Sequence, residues 1–199
     1  VAVTGSTGKT TTKDMVAAIS ATTFKTARTQ GNLNNHFGVP ITLLGLEPGD
    51  QVAVIEMGMN KPGEIRRLAG LSMPSVGIIT NAAAAHLEHV GTVRDVARVK
   101  SELGEELGKE DWLIIHRDSE ELYWENRARR CKLVTFGLSK EADISPREVR
   151  CLGTDGTEFL VEGFPPVRLA LLGRHNVLNA LAALAASRAL NVSPDKAVM

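Results

Sequence analysis

The chain has 199 residues, and 23 Lys plus Arg balance 23 Asp plus Glu, so its formal net charge is zero. With 43% hydrophobic and 23% charged residues it has the makeup of a globular domain long enough to hold its own core. The charge balance argues against a nucleic-acid or anionic-membrane partner and leaves any anion binding local; no apolar run approaches the length of a bilayer span and no signal peptide is visible.

In chain order, Val1–Val3 predicts a strand and Lys9–Ala21 a helix, followed by a strand over Phe24–Ala27 and a helix over Val39–Leu46. The apolar run Gln51–Glu56 predicts a strand, Pro62–Ala69 a helix, Val76–Thr80 a strand and Thr92–Leu107 a helix. Trp112–His116, Ser119–Arg129 and Lys132–Phe136 repeat the strand–helix–strand pattern. The stretch Asp143–Leu172 changes character, with short alternating runs around a turn at Gly153–Gly156, and predicts two or three antiparallel strands. A helix rich in alanine and leucine spans about Asn176–Leu190. The expected fold is α/β, a mainly parallel P-loop-type sheet flanked by helices, with a small antiparallel section near 143–172. Such sheets bind ligands at the carboxyl ends of their strands. Because the chain opens inside a strand and closes at Ser193–Met199 in what reads as the first turn of a helix, it is expected to be one domain, 1–199, of a longer protein. Cys131 and Cys151 form no CxxC motif, which fits a reducing compartment and argues against a disulfide framework.

The segment Thr4–Thr10, TGSTGKT, lies between the first strand and the first helix. Gly5, Ser6, Thr7 and Gly8 form a turn whose backbone N–H groups can close around phosphate oxygens, with the helix N-terminus adding partial positive charge. Lys9 supplies a full charge to the terminal phosphates of a nucleotide, and Thr10 a hydroxyl to Mg²⁺. The spacing is shorter than the usual Walker A motif, with Val3 where a glycine would stand. Glu56 ends an apolar strand and reaches the ligand edge of the sheet, either as a metal ligand with Thr10 or as a solvated strand-end charge. His86 follows the strand Val76–Thr80 and sits near the same edge, as a functional or a merely structural histidine; Glu88 and His89 are weaker rivals. Thr92 and Asp95 form a capping-box pattern, and along the helix they open, Lys100 falls on the apolar stripe of Val93, Val96, Ala97, Leu103 and Leu107. A lysine there must snorkel, pair with an anion or lose its charge, and burial favours the neutral, reactive amine. Asn32, Asn34 and Asn35 form a polar cluster before Pro40, which by itself reads as turn chemistry.

Five segments together resemble the Mur ligases, which add amino acids to the peptide of bacterial cell-wall precursors: TGSTGKTTTK at 4–13, VIEMGMNKPGEI at 54–65, TNAAAAHLEHVGT at 80–92, ARVKSEL at 97–103 and GRHNVLNALAA at 173–183. GNLNNHFGVPITLL at 31–44 is most similar to the branch of that family that adds D-alanyl-D-alanine. The resemblance implies ATP-dependent amide-bond formation through an acyl phosphate, in a bacterial cytoplasmic enzyme, expected to be a monomer. Its substrates would be a UDP-linked muramoyl peptide and D-alanyl-D-alanine. It implies ATP contacts from Gly5 through Thr11, including Lys9, Thr10 and Thr11, and adenine contacts from Asn176 and Asn179. It implies two Mg²⁺ ions held by Thr10, Glu56, His86 and Lys100, the last as a CO₂-derived carbamate, and substrate contacts from Asn32, Asn34 and Asn35. Asn176 also fits an N-cap at the start of the last long helix. His116, Arg117 and Asp118 stand where relatives often show an asparagine–aspartate pair, so that turn is given no ATP role. Lys61 stands where many relatives have histidine. The family's N-terminal UDP-binding and C-terminal closing domains have no counterpart in this sequence. Other Mur-type ligases, a folylpolyglutamate-synthase-like enzyme, a P-loop switch and a non-catalytic nucleotide-binding module remain the alternatives.

Overall fold

A computed structural model describes residues 1–83 and 91–199. Six strands form one sheet: β1 (Ala2–Thr4), β2 (Thr26–Arg28), β3 (Val52–Glu56), β4 (Val76–Ile79), β5 (Trp112–His116) and β6 (Lys132–Phe136). Their order is β2-β3-β1-β4-β5-β6, and every pairing among them is parallel. The phosphate-loop strand β1 is therefore central, with β3 and β4 as its neighbours.

The two-residue period of the strands divides the core. Val3, Val54, Ile78 and Ile114 face one layer, with Val16 and Ala17 of α1 (Lys9–Ala21) and Leu181 and Leu184 of α6 (Arg174–Ala189). Ala2, Ile55, Ile79, Leu113 and Ile115 face the other, against Ile65 and Leu68 of α3 (Glu64–Ser72), Val96 of α4 (Val93–Lys100) and Leu122 of α5 (Glu120–Asn126). Burial on both faces is why these strands read as continuous apolar runs. The short helix α2 (Gly38–Leu44) leads toward β3, and α7 (Pro194–Ala197) follows α6. A second, antiparallel sheet has the order β7-β8-β9, from Pro146–Cys151, Thr157–Val161 and Val167–Leu169. Its Phe159, Val161 and Val167 join the core beneath α6.

Several boundaries shift for local reasons. The helix expected from Pro62 begins at Glu64, because Gly63 takes a left-handed φ of 85° that no helix interior accepts. The helix expected over Thr92–Leu107 is α-helical only to Lys100 and then tightens into a 3₁₀ turn, Ser101–Glu105. In that turn a side chain at Gly104 would stand 2.9 Å from Leu113, so the chain runs hard against β5. The helix expected to end at Arg129 ends at Asn126, whose buried amide turns inward to Ser101 Oγ at 2.7 Å. The capping box is present: Thr92 Oγ1 accepts from Asp95 N at 3.3 Å while Asp95 accepts from Thr92 N at 2.9 Å.

Candidate active site

The loop between β1 and α1 is clamped from two sides. Gly5 has φ 154°, and a Cβ there would lie 1.8 Å from Thr80 Oγ1, beyond the end of β4. Gly8 has φ 77°, and its Cβ would meet Asn179 Oδ1 of α6 at 2.4 Å. Neither position tolerates a side chain, because backbone and neighbour approach too closely. The first amides of α1 have no intrahelical acceptor, and its first turn carries no acidic residue. They add a partial positive charge suited to an anion. Lys9 Nζ folds back over the loop, donating to Gly5 O at 3.0 Å. Burial lowers its pKa, with Glu56 acting in the opposite direction. Ser6 and Thr7 are held from outside by Asn81, and Thr11 continues the helix.

Glu56 is the end of β3, yet it is only 2% exposed, so it is not a solvated strand-end charge. Its Oε2 accepts from Thr10 Oγ1 at 2.9 Å and its Oε1 from Asn34 Nδ2 at 2.7 Å. Behind it lies Lys13, 2% exposed, with Nζ at 3.9 Å from Glu56 Oε2, 3.4 Å from Asp14 Oδ1 and 3.0 Å from Thr29 O. The buried Glu56 side chain therefore has the Lys13 amine behind it and the Thr10 hydroxyl in front. A threonine hydroxyl beside a carboxylate side chain is a hard-oxygen donor set that fits Mg²⁺. Among the described residues no group of three or more His, Cys, Asp or Glu side chains converges. His86, with Glu88 and His89, lies outside the described residues.

A cavity of about 460 Å³ opens beside the loop, lined among others by Gly5, Lys9, Asn34, His36, Arg67 and Lys100. Lys100 is 3% exposed, on the apolar stripe that the helical spacing predicts. Burial, and secondarily the charge of Lys9, pull its pKa down to about 7. The neutral amine is thus accessible near neutral pH, and neutral amine is the form that adds to CO₂.

The asparagine cluster separates by role. Asn34 reaches Glu56 and lines the cavity with Asn35. Asn35 also caps the next helix, its Oδ1 accepting from Phe37 N at 3.0 Å and Gly38 N at 2.9 Å. Asn32 is exposed and does not line that cavity. At the other end of the chain, Asn179 accepts from Thr12 Oγ1 at 3.3 Å and donates to Asn176 Oδ1 at 3.3 Å, so both lie beside the phosphate loop. Asn176 is not an N-cap: α6 starts at Arg174 after Gly173, and Asn176 instead donates to Leu172 O at 2.9 Å. The turn after β5 is structural, with Asp118 accepting from Leu138 N at 2.7 Å and Ser139 N at 3.2 Å. Sequence reasoning missed Asn81, Thr80, Lys13 and Arg67; the first three lie inside quoted motifs, and their contacts arise from residues distant in sequence.

Residues 3–187 match the Mur ligase middle domain. The chain is 37% identical over 198 residues to a UDP-N-acetylmuramoyl-tripeptide–D-alanyl-D-alanine ligase of Bacillus subtilis, covering 99% of the chain and 42% of that relative. It is 40% identical over 200 residues to the ligase of the same name from Escherichia coli, covering 98% of the chain and 44% of that relative. Among solved structures, MurF from Acinetobacter baumannii superposes with a TM-score of 0.91 at 34% identity, over 99% of this chain and 44% of that one. MurF ligase from Thermotoga maritima, solved in complex with ADP, gives 0.88 at 26% identity, over 99% of this chain and 47% of that one. The chain thus spans less than half the length of the relatives it matches. With a match that runs from the central strand of the sheet to the last long helix, the chain belongs to the Mur ligase middle-domain family.

Proposed function

We propose that this chain is the central ATP-binding domain of a ligase that joins D-alanyl-D-alanine to a UDP-N-acetylmuramoyl tripeptide in peptidoglycan precursor synthesis. The observation that carries the reading is the convergence of Lys9, Lys100 and the Glu56–Thr10 pair at one end of the sheet, beside a cavity large enough for a peptide terminus. The names and coverage of the relatives support the choice of substrates, and their greater length supports further UDP-binding and closing domains outside 1–199.

In this reading ATP lies along the loop Gly5–Thr11, with its base toward Asn176 and Asn179. A terminal carboxylate oxygen of the tripeptide attacks the γ-phosphorus and ADP leaves. The dipeptide amine then attacks the acyl carbon, gives up a proton and expels inorganic phosphate. Lys9 neutralises charge on the transferring phosphoryl oxygens. Asn34 orients Glu56 and with Asn35 borders the peptide terminus in the cavity, and Asn32, outside that cavity, is left to parts of the peptide beyond it. Thr10, Glu56, His86 and a carbamylated Lys100 would hold two Mg²⁺ ions, which when bound supply positive charge between phosphates and carboxylate. The carbamate is supported by a buried amine that is easily neutral. The zero net charge supports the reading that neither nucleic acid nor an anionic membrane is a partner.

The test is substrate-dependent phosphate release by the full-length protein with Mg·ATP. Turnover is expected with the tripeptide precursor plus D-alanyl-D-alanine and not with single amino acids or folate substrates. Preferential turnover of a different acceptor overturns the substrate assignment, and ATP hydrolysis indifferent to any precursor overturns the ligase reading.

A further inference from the structure

Asn81 engages the phosphate loop with both ends of its carboxamide. β4 pairs with β1 through Thr4 and Ile79, so the residues after β4 leave the sheet alongside the loop that follows β1. Asn81 Oδ1 accepts from Ser6 N and from Thr7 N, each at 3.0 Å. Its Nδ2 donates to Thr7 Oγ1 at 2.7 Å and to Thr7 O at 3.3 Å. Its main-chain oxygen also accepts from Ser6 N at 3.2 Å. Thr80 Oγ1 adds a bond to Thr7 O at 2.6 Å.

Two successive amides that converge on one oxygen form an anion-binding nest. Here the converging oxygen is a neutral carbonyl supplied by the protein. We propose that Asn81 is a positioning residue for ATP, keeping the Ser6 and Thr7 amides converged so that the loop holds its phosphate-binding shape before nucleotide arrives. The inference rests on the nucleotide-binding reading above. A carboxamide suits this task in a way no other side chain of its size does. It offers an acceptor to two N–H groups and a donor to Thr7 on one rigid plane, and it places no negative charge beside the phosphates. Preformation removes an ordering cost from binding, so its loss appears in ATP affinity.

Asn81→Asp keeps the acceptor for both amides and changes only the donor and the charge, whereas Asn81→Ala removes the acceptor itself. The carboxylate is isosteric and still accepts from Ser6 and Thr7, so thermal stability should stay near that of the unsubstituted protein. It loses the donor to Thr7 and adds a charge that repels phosphate. In the full-length enzyme, KM for ATP should rise about tenfold or more, with ADP affinity by calorimetry falling in parallel. KM for D-alanyl-D-alanine should stay unchanged. Asn81→Ala, which loses both ends, should raise KM for ATP in the same direction without the charge effect. Unaltered ADP affinity in Asn81→Ala, which takes the shared acceptor from both amides, overturns the proposal; a fall in Asn81→Asp with none in Asn81→Ala is a charge effect and overturns it too. Failure of the unsubstituted enzyme to bind ADP overturns the nucleotide reading instead.

Discussion

Gly8 and Asn179 make a direct demand on each other. Gly8→Ala places a methyl 2.4 Å from Asn179 Oδ1 on a backbone with φ 77°, so the clash adds to left-handed strain of about 1 kcal/mol. Expected outcomes are a lower unfolding midpoint and weaker ATP binding. Asn179→Ala in the same chain should relieve the steric part and leave the strain, which a double-mutant cycle by denaturant titration reads directly.

Lys100 makes a different demand, set by pH. Its unmodified amine has a folded-state pKa of about 7, against 10.5 for the ordinary side chain. Below pH 7 both folded and unfolded states carry the proton, and the burial penalty on the charge is fully present. Between pH 7 and 10.5 the unfolded state binds more protons, so stability rises with pH across that window. Denaturant titrations of bicarbonate-free protein at the two ends should show this rise, and Lys100→Met should lack it. Lys100→Met should also be at least as stable at neutral pH while losing ligation. Intact mass with bicarbonate should exceed the chain mass by one CO₂, and a persistently unmodified Lys100 counts against the carbamate. At the loop, Lys9→Ala should abolish phosphoryl transfer in the full-length enzyme, checked by ADP release; retained turnover removes Lys9 from its role.

At the scale of elements, α4 depends on its capping box. Thr92→Ala should cost about 1 kcal/mol in urea unfolding and loosen the helix that carries Lys100. Such local features were legible in the sequence, because capping, strand–helix alternation and helical spacing are written in neighbouring residues. The spacing placed Lys100 among Val96, Ala97 and Leu103, and the structure buries it there. Contacts between distant segments were not legible. Asn81 stands in the motif read for His86, but its partners Ser6 and Thr7 are more than seventy residues away, and only the β1–β4 register brings them together. Asn176 fits an N-cap by residue type; the start of α6 at Arg174 moved it inside the helix, where it serves Leu172 and Asn179 instead. Lys13 reads as an ordinary helix lysine until β3 closes over it with Glu56.

At the scale of the whole molecule, two core layers sandwich a six-stranded sheet, and the small sheet β7-β8-β9 underpins α6 rather than standing apart. A polypeptide of residues 1–199 alone is expected to fold and to bind Mg·ATP weakly, since the loop and its clamps are all within it. It should ligate poorly or not at all, because its relatives are more than twice as long. Calorimetry with Mg·ATP and a ligation assay on that polypeptide check both halves; robust ligation overturns the second.

The clamp on Gly8 joins the start of the chain to Asn179, and the Thr12–Asn179 bond spans 167 positions. A ribosome making this protein therefore releases the loop well before its last support. Nascent chains stalled before α6 has emerged should carry β1 and the glycine turn without the far wall of the nucleotide site. ATP can then stabilise this domain only near the end of its synthesis, and earlier the loop is a stretch of chain that chaperones or proteases can reach.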